Sequence, residues 1–284
     1  MNTKTKKCLS CKPTAGIIAS STQRRPKWKR NKNLKTIFPN DKKPDLKNAK
    51  LFHPKDYNQT FHINLGEKFK KRYILYYASK HDKLINCKDI KSAEKAYGSF
   101  KNRGMAKTDK NGKAILKLKC PQVYQENNKV YLSHVHFIIS NENNTDWINT
   151  LKTQNVVCSL NHEELIDVLS SNCGIVLNAL PHEYYIKDRI PHTHNLDHNV
   201  VLNKVTGKEV INYIKSLVFH NNKLTKYLNR KNLSVLNIPL VTYCYDEQCT
   251  ADIDLQQKLN KIGFKNVKVF PPGIKGWRKI IKKD

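Results

Sequence analysis

Pro239-Leu240-Val241-Thr242-Tyr243-Cys244-Tyr245-Asp246-Glu247-Gln248-Cys249-Thr250-Ala251 runs from five strand-forming residues straight into a cysteine and a polar loop. The short apolar run, bounded by turn residues, predicts a buried strand. A helical pattern follows over residues 250–262, so Cys244 stands at a strand–loop–helix junction. A thiol there faces the loop N–H groups and the positive end of a helix dipole, and both favour thiolate. The plain alternative is a buried cysteine packing as a small hydrophobe.

The flanks repeat this rhythm. Asn161-His162-Glu163-Glu164-Leu165-Ile166-Asp167-Val168-Leu169 reads as an amphipathic helix capped by Asn161 or Ser159. Gly174–Asn178 reads as an apolar strand, residues 208–229 as one helical pattern, and 267–270 as a last strand. Short strands alternating with helices predict an α/β domain with a parallel sheet over residues 155–284. Residues 51–154 read differently. Lys71–Ala78 and Val130–Ile139 are rich in β-formers, and Thr108-Asp109-Lys110-Asn111-Gly112-Lys113 is a turn. Ala114–Lys119 continues as a strand in which Ile115 breaks the alternation. An all-β sandwich is expected there, within an α+β multidomain chain.

Several segments of the second half resemble the rhodanese family of sulfurtransferases. The helix at His162–Leu165 is similar to the family's opening helix, and Leu177–Tyr184 to its first strand and following turn. Arg189-Ile190-Pro191-His192-Thr193-His194-Asn195-Leu196 resembles a family signature, as do Pro239–Cys244 and the closing segment Ile262–Trp277. The resemblance implies that Cys244 is the nucleophile, carrying sulfane sulfur as a persulfide from a donor to an acceptor thiol. The N–H groups of Tyr245, Asp246, Glu247, Gln248, Cys249 and Thr250 would cradle the transferred group, and no cofactor is required. Cys249 stands where the family closes its loop with arginine. It could act as a resolving thiol.

A second constellation lies in the first half. His134 and His136, two apart on a strand, point to one face, which is a common start for a metal site. Gly104–Gly112, Pro121-Gln122-Val123-Tyr124 and His134-Val135-His136-Phe137 resemble the core of intradiol ring-cleavage dioxygenases. That resemblance implies Tyr124, His134 and His136 as ligands to iron, with zinc as the other metal such a set could hold.

The 284 residues carry 52 Lys+Arg against 23 Asp+Glu, a formal net charge of +29. Residues 1–50 hold fifteen Lys/Arg and only Asp41 and Asp45 as acids, with scattered prolines and no sustained period. Such a composition predicts a flexible, disordered basic arm. Within it, Arg24, Arg25, Lys27, Trp28, Lys29 and Arg30 combine cations with an aromatic ring, a pattern for nucleic acid or an acidic protein partner. A solvated tail is the bland alternative. Cys8 and Cys11 form a lone Cys-x-x-Cys without a second ligand pair. Cys87, Cys120, Cys158 and Cys173 lack motif spacing and are expected as buried thiols. With neither a membrane span nor an apolar leader, a cytoplasmic or virion protein is expected, not a secreted one. The alternative to an enzyme is an assembly module with degraded sites. The Lys/Asn/Ile-rich composition would suit a large DNA virus.

Overall fold

The computed structural model describes residues 46–81, 87, 90–127, 129–148 and 150–281. Arg24, Arg25, Lys27, Trp28, Lys29, Arg30, Cys8 and Cys11 lie outside the described residues. The described chain falls into two compact units, one holding 46–158 without Cys87, the other holding Cys87 and 159–281.

The first unit is built from β1 (Gln59–Asn64), β2 (Tyr73–Ala78), helix α1 (Ala93–Tyr97), β3 (Arg103–Lys107) and β4 (Lys113–Leu118). The elements β5 (Tyr124–Glu126), β6 (Lys129–Tyr131), β7 (His134–Ile139) and β8 (Lys152–Asn155) follow. An antiparallel sheet runs in the order β3-β2-β7-β8, β1 pairs with β4, and β5 with β6. Alternation along β2 feeds two cores. Ile74, Tyr76 and Ala78 join Phe61, Ile63, Leu116, Leu118 and Phe137 in one cluster. Leu75 and Tyr77 join Ala93, Ala96, Tyr97, Phe100 and Tyr124 in the other. The unit is therefore not all-β: the β1–β4 ladder covers one face of the sheet, and the other takes α1, whose Ser92 hydroxyl caps Lys95 N–H. Ile115 points outward, which is why it breaks the pattern.

The second unit comprises α2 (His162–Ser171), β9 (Ile175–Asn178), α3 (His182–Lys187), β10 (His194–Asn195), α4 (His198–Asn203), α5 (Gly207–Phe219) and α6 (Asn222–Lys231). It closes with β11 (Pro239–Tyr243), α7 (Ala251–Ile262), β12 (Asn266–Phe270) and α8 (Gly273–Ile281). Asn161 and Glu164 form a reciprocal capping box at the start of α2. Residues 208–229 are two helices rather than one. Asn221 ends the pattern because its side chain accepts from the N–H groups of Lys223 and Leu224 and starts α6. All four strands are parallel, in the order β10-β9-β11-β12. The chain steps outward from β9 to β10, then returns across to β11. The carboxyl ends of β9 and β11 thus flank a topological switch point, where open α/β sheets place ligands.

The expected buried thiols are a correction. Cys87 bridges to Cys173, Cys120 to Cys158 and Cys244 to Cys249, with Cα separations of 5.1, 5.7 and 6.2 Å. The folds bring together cysteines 86 and 38 residues apart, pairings that sequence spacing does not display. No helix among the described residues is long and apolar enough to cross a membrane.

Candidate functional site

Cys244 leaves the carboxyl end of β11 at the switch point, only 1% exposed, with Cys249 at 9%. Their disulfide closes the loop. Within the loop, Cys249 N–H donates to the Asp246 carbonyl at 3.1 Å and Gln248 N–H to Asp246 Oδ1 at 3.1 Å. Two N–H groups expected to cradle a transferred group are therefore satisfied by Asp246 instead. The other Asp246 carboxyl oxygen lies 3.5 Å from Lys275 Nζ. Tyr245 is half-exposed and Glu247 exposed, while the Thr250 hydroxyl donates to Asp254 Oδ2 at 3.4 Å.

The first turn of α8 clamps this loop from behind. Ile274 N–H donates to the Cys244 carbonyl at 3.1 Å and Lys275 N–H to the Tyr245 carbonyl at 2.9 Å. The approach requires Gly273, at φ +57°, where a Cβ would fall 2.6 Å from the Cys244 and Tyr245 carbonyl oxygens. Sequence reading missed Lys275 and Asp252. Asp252, in the first turn of α7, is 3% exposed, and burial pushes its carboxyl up to about 7. Its Oδ1 accepts from Ile253 N–H at 2.9 Å.

In the other unit, Tyr124, His134 and His136 come together as expected, all at most 2% exposed. His134 Nε2 lies 3.0 Å from His136 Nε2 and 3.3 Å from Tyr124 Oη. A fourth group, missed in the sequence, is Tyr97, whose Oη is 3.0 Å from the same nitrogen. His134 Nδ1 faces the Leu132 carbonyl at 2.6 Å, so that nitrogen carries a proton; in a neutral ring Nε2 is then the acceptor. His136 Nδ1 lies 2.6 Å from Thr153 Oγ1. Three partners converge on one Nε2 lone pair. A cation shared among the four heteroatoms would resolve that crowding, so the donor set fits a metal. Without one, desolvation raises both the Tyr97 and Tyr124 hydroxyl pKa values. Among the described residues no three His, Cys, Asp or Glu converge as a metal site; this cluster reaches four donors only through its tyrosines.

No protein-family model matches the chain, and no curated protein is similar to it. Among solved structures, a human single-domain sulfurtransferase is similar at 12% identity over 44% of this chain and 97% of its own, with a TM-score of 0.31. A Saccharomyces cerevisiae single-domain sulfurtransferase is similar at 11% identity over 46% of this chain and 95% of its own, with a TM-score of 0.32. A Bacillus halodurans protein gives 21% identity, 44% and 73% coverage, and a TM-score of 0.32. The comparisons do not show the dioxygenase resemblance.

Proposed function

We propose that the chain is a rhodanese-like thiol–persulfide protein that moves sulfane sulfur through Cys244, with Cys249 as the resolving thiol. The observation that supports this reading is the Cys244–Cys249 pair at the carboxyl end of β11, beside the switch point of a parallel sheet. An external dithiol first supplies two electrons and two protons to open the disulfide. Cys244 thiolate then attacks the outer sulfur of a donor R–S–SH; a Cys244 S–S bond forms and R–S⁻ leaves. An acceptor thiolate takes that sulfur and returns Cys244 as thiolate. Where no acceptor arrives, Cys249 thiolate attacks Cys244 Sγ, the loop disulfide closes and HS⁻ leaves.

The test is intact-mass and peptide analysis of phosphine-reduced protein incubated with polysulfide. One added sulfur on Cys244 is expected, absent in Cys244→Ser and longer-lived in Cys249→Ser. Wild-type protein that gains no sulfur from any sulfane donor would sink the reading.

A second reading is favoured by the four converging heteroatoms of the first unit: a metal centre held by Tyr97, Tyr124, His134 and His136. A bound iron or zinc would supply Lewis acidity there, and iron a redox centre as well. The residues themselves orient the site, with Leu132 and Thr153 fixing the imidazoles. Metal analysis after incubation with ferric iron or zinc is expected to give one ion per chain, lost in the His134→Ala/His136→Ala double variant. Equal metal content in both proteins would remove this reading. The assembly alternative rests on residues 1–50 and so lies almost wholly outside the described structure.

A further inference from the structure

The Cys244 loop carries its own anion. An incoming oxyanion at a strand–loop–helix junction is ordinarily held by free N–H groups, a helix N-terminus and a nearby cation. Here two of the loop N–H groups, the nearby cation and the first turn of α8 are already engaged. Asp246 Oδ1 accepts from Gln248 N–H, and the Asp246 carbonyl accepts from Cys249 N–H. The ammonium of Lys275 faces Asp246 Oδ2. In the first turn of α8, the N–H groups of Ile274, Lys275 and Gly276 go to the carbonyls of Cys244, Tyr245 and Pro272. Glu247 adds a second, exposed negative charge on the solvent side. A small dianion that takes the Gln248 N–H or the Lys275 ammonium has to displace a carboxylate and then sit beside it. A carrier with no charge, or with lysine or arginine near its sulfur, meets the opposite field, and the exposed Tyr245 ring offers it an apolar contact.

We propose that Asp246 sets the specificity of this loop. It turns away small anionic sulfur donors and admits a cysteinyl persulfide on a neutral or basic peptide carrier. The proposal rests on the reading of Cys244 as the sulfur-accepting thiol. The transfer is redox-neutral: Cys244 thiolate bonds to the outer sulfur of the peptide persulfide, that S–S bond breaks, and the peptide departs as thiolate. Lys275 is the positioning residue that holds the Asp246 carboxylate against the loop.

The experiment follows sulfur gain on Cys244 in the phosphine-reduced full chain, using three donors: thiosulfate, free cysteine persulfide and a lysine-flanked persulfidated peptide. In wild-type protein the peptide is expected to react faster than thiosulfate. Asp246→Asn is expected to raise the thiosulfate rate by about tenfold, through removal of one nearby like charge, without accelerating the peptide. Lys275→Met leaves the carboxylate unneutralised and is expected to slow thiosulfate further, which tests the same charge should Asp246→Asn fold poorly. Free cysteine persulfide matching the peptide overturns the peptide carrier while leaving Asp246 as the charge that turns thiosulfate away. A thiosulfate-to-peptide ratio unchanged by both substitutions, or a wild-type preference for thiosulfate, overturns it while leaving Cys244 as the acceptor. Absence of sulfur on Cys244 from all three donors overturns both readings.

Discussion

Replacing Cys87 and Cys173 together by alanine is expected to lower the unfolding free energy of the second unit by about 4–5 kcal/mol. The bridge closes a loop of 86 residues. Cross-linking so long a segment removes much of the unfolded chain's freedom, and the loop-entropy relation gives that magnitude at 25 °C. Both sulfurs sit in the apolar cluster with Leu165, Val168 and Leu177, so the alanines also give up buried contacts. The Cys120–Cys158 bridge, with a separation of 38, is worth about 4 kcal/mol by the same reasoning. Urea unfolding under non-reducing conditions measures the first effect directly. A midpoint unmoved by the double substitution, with wild-type and variant reading the same before and after phosphine, would show that these cysteines are not cross-linked in solution.

The disulfides also mark where the sequence stops being readable. Eight cysteines allow 105 full pairings, and nothing local distinguishes Cys173 from Cys158 as the partner of Cys87. By contrast, β11 was legible because Pro239–Tyr243 is a short apolar run ending in polar residues, and all five residues are buried. The shared face of His134 and His136 was legible too, since period-2 alternation is a local property. The extent of their strand was not: Val130–Ile139 divides at Leu132-Ser133, and the Leu132 carbonyl turns back to meet His134 Nδ1. Tyr97 escaped notice because it comes from a five-residue helix, 37 positions before His134, and only tertiary packing brings the two together. Two of the N–H groups expected to cradle an anion are taken within the loop itself for a similar reason. An aspartate two residues before a free N–H can take that N–H itself, and Asp246 does so with Gln248.

Asp252→Asn is expected to stabilise the second unit strongly at high pH and hardly at all in acid. In sequence, Ala251-Asp252-Ile253-Asp254 looks like an ordinary acidic first turn, where carboxylates sit in solvent and favour the helix dipole. Asp252 departs from that description, because its side chain is buried. Desolvation, opposed only in part by the N–H groups of Ile253 and Asp252 itself, raises the carboxyl to about 7, and the charge of Asp254 adds to the rise. The folded pKa therefore lies above the unfolded value of 3.8. Stability tied to this group is complete below pH ~4, declines as pH rises toward 7, and is fully lost above that. A shift of about three units corresponds to roughly 4 kcal/mol at about 1.36 kcal/mol per unit. Asparagine keeps an acceptor for Ile253 N–H and never ionises, so the variant's stability advantage should grow across that window and level off above it. Urea midpoints of both proteins at pH 4.5, 6, 7 and 8.5 give the curve. Parallel pH profiles would show that Asp252 ionises freely in the folded protein, and that the packing around α7 admits water to its carboxyl.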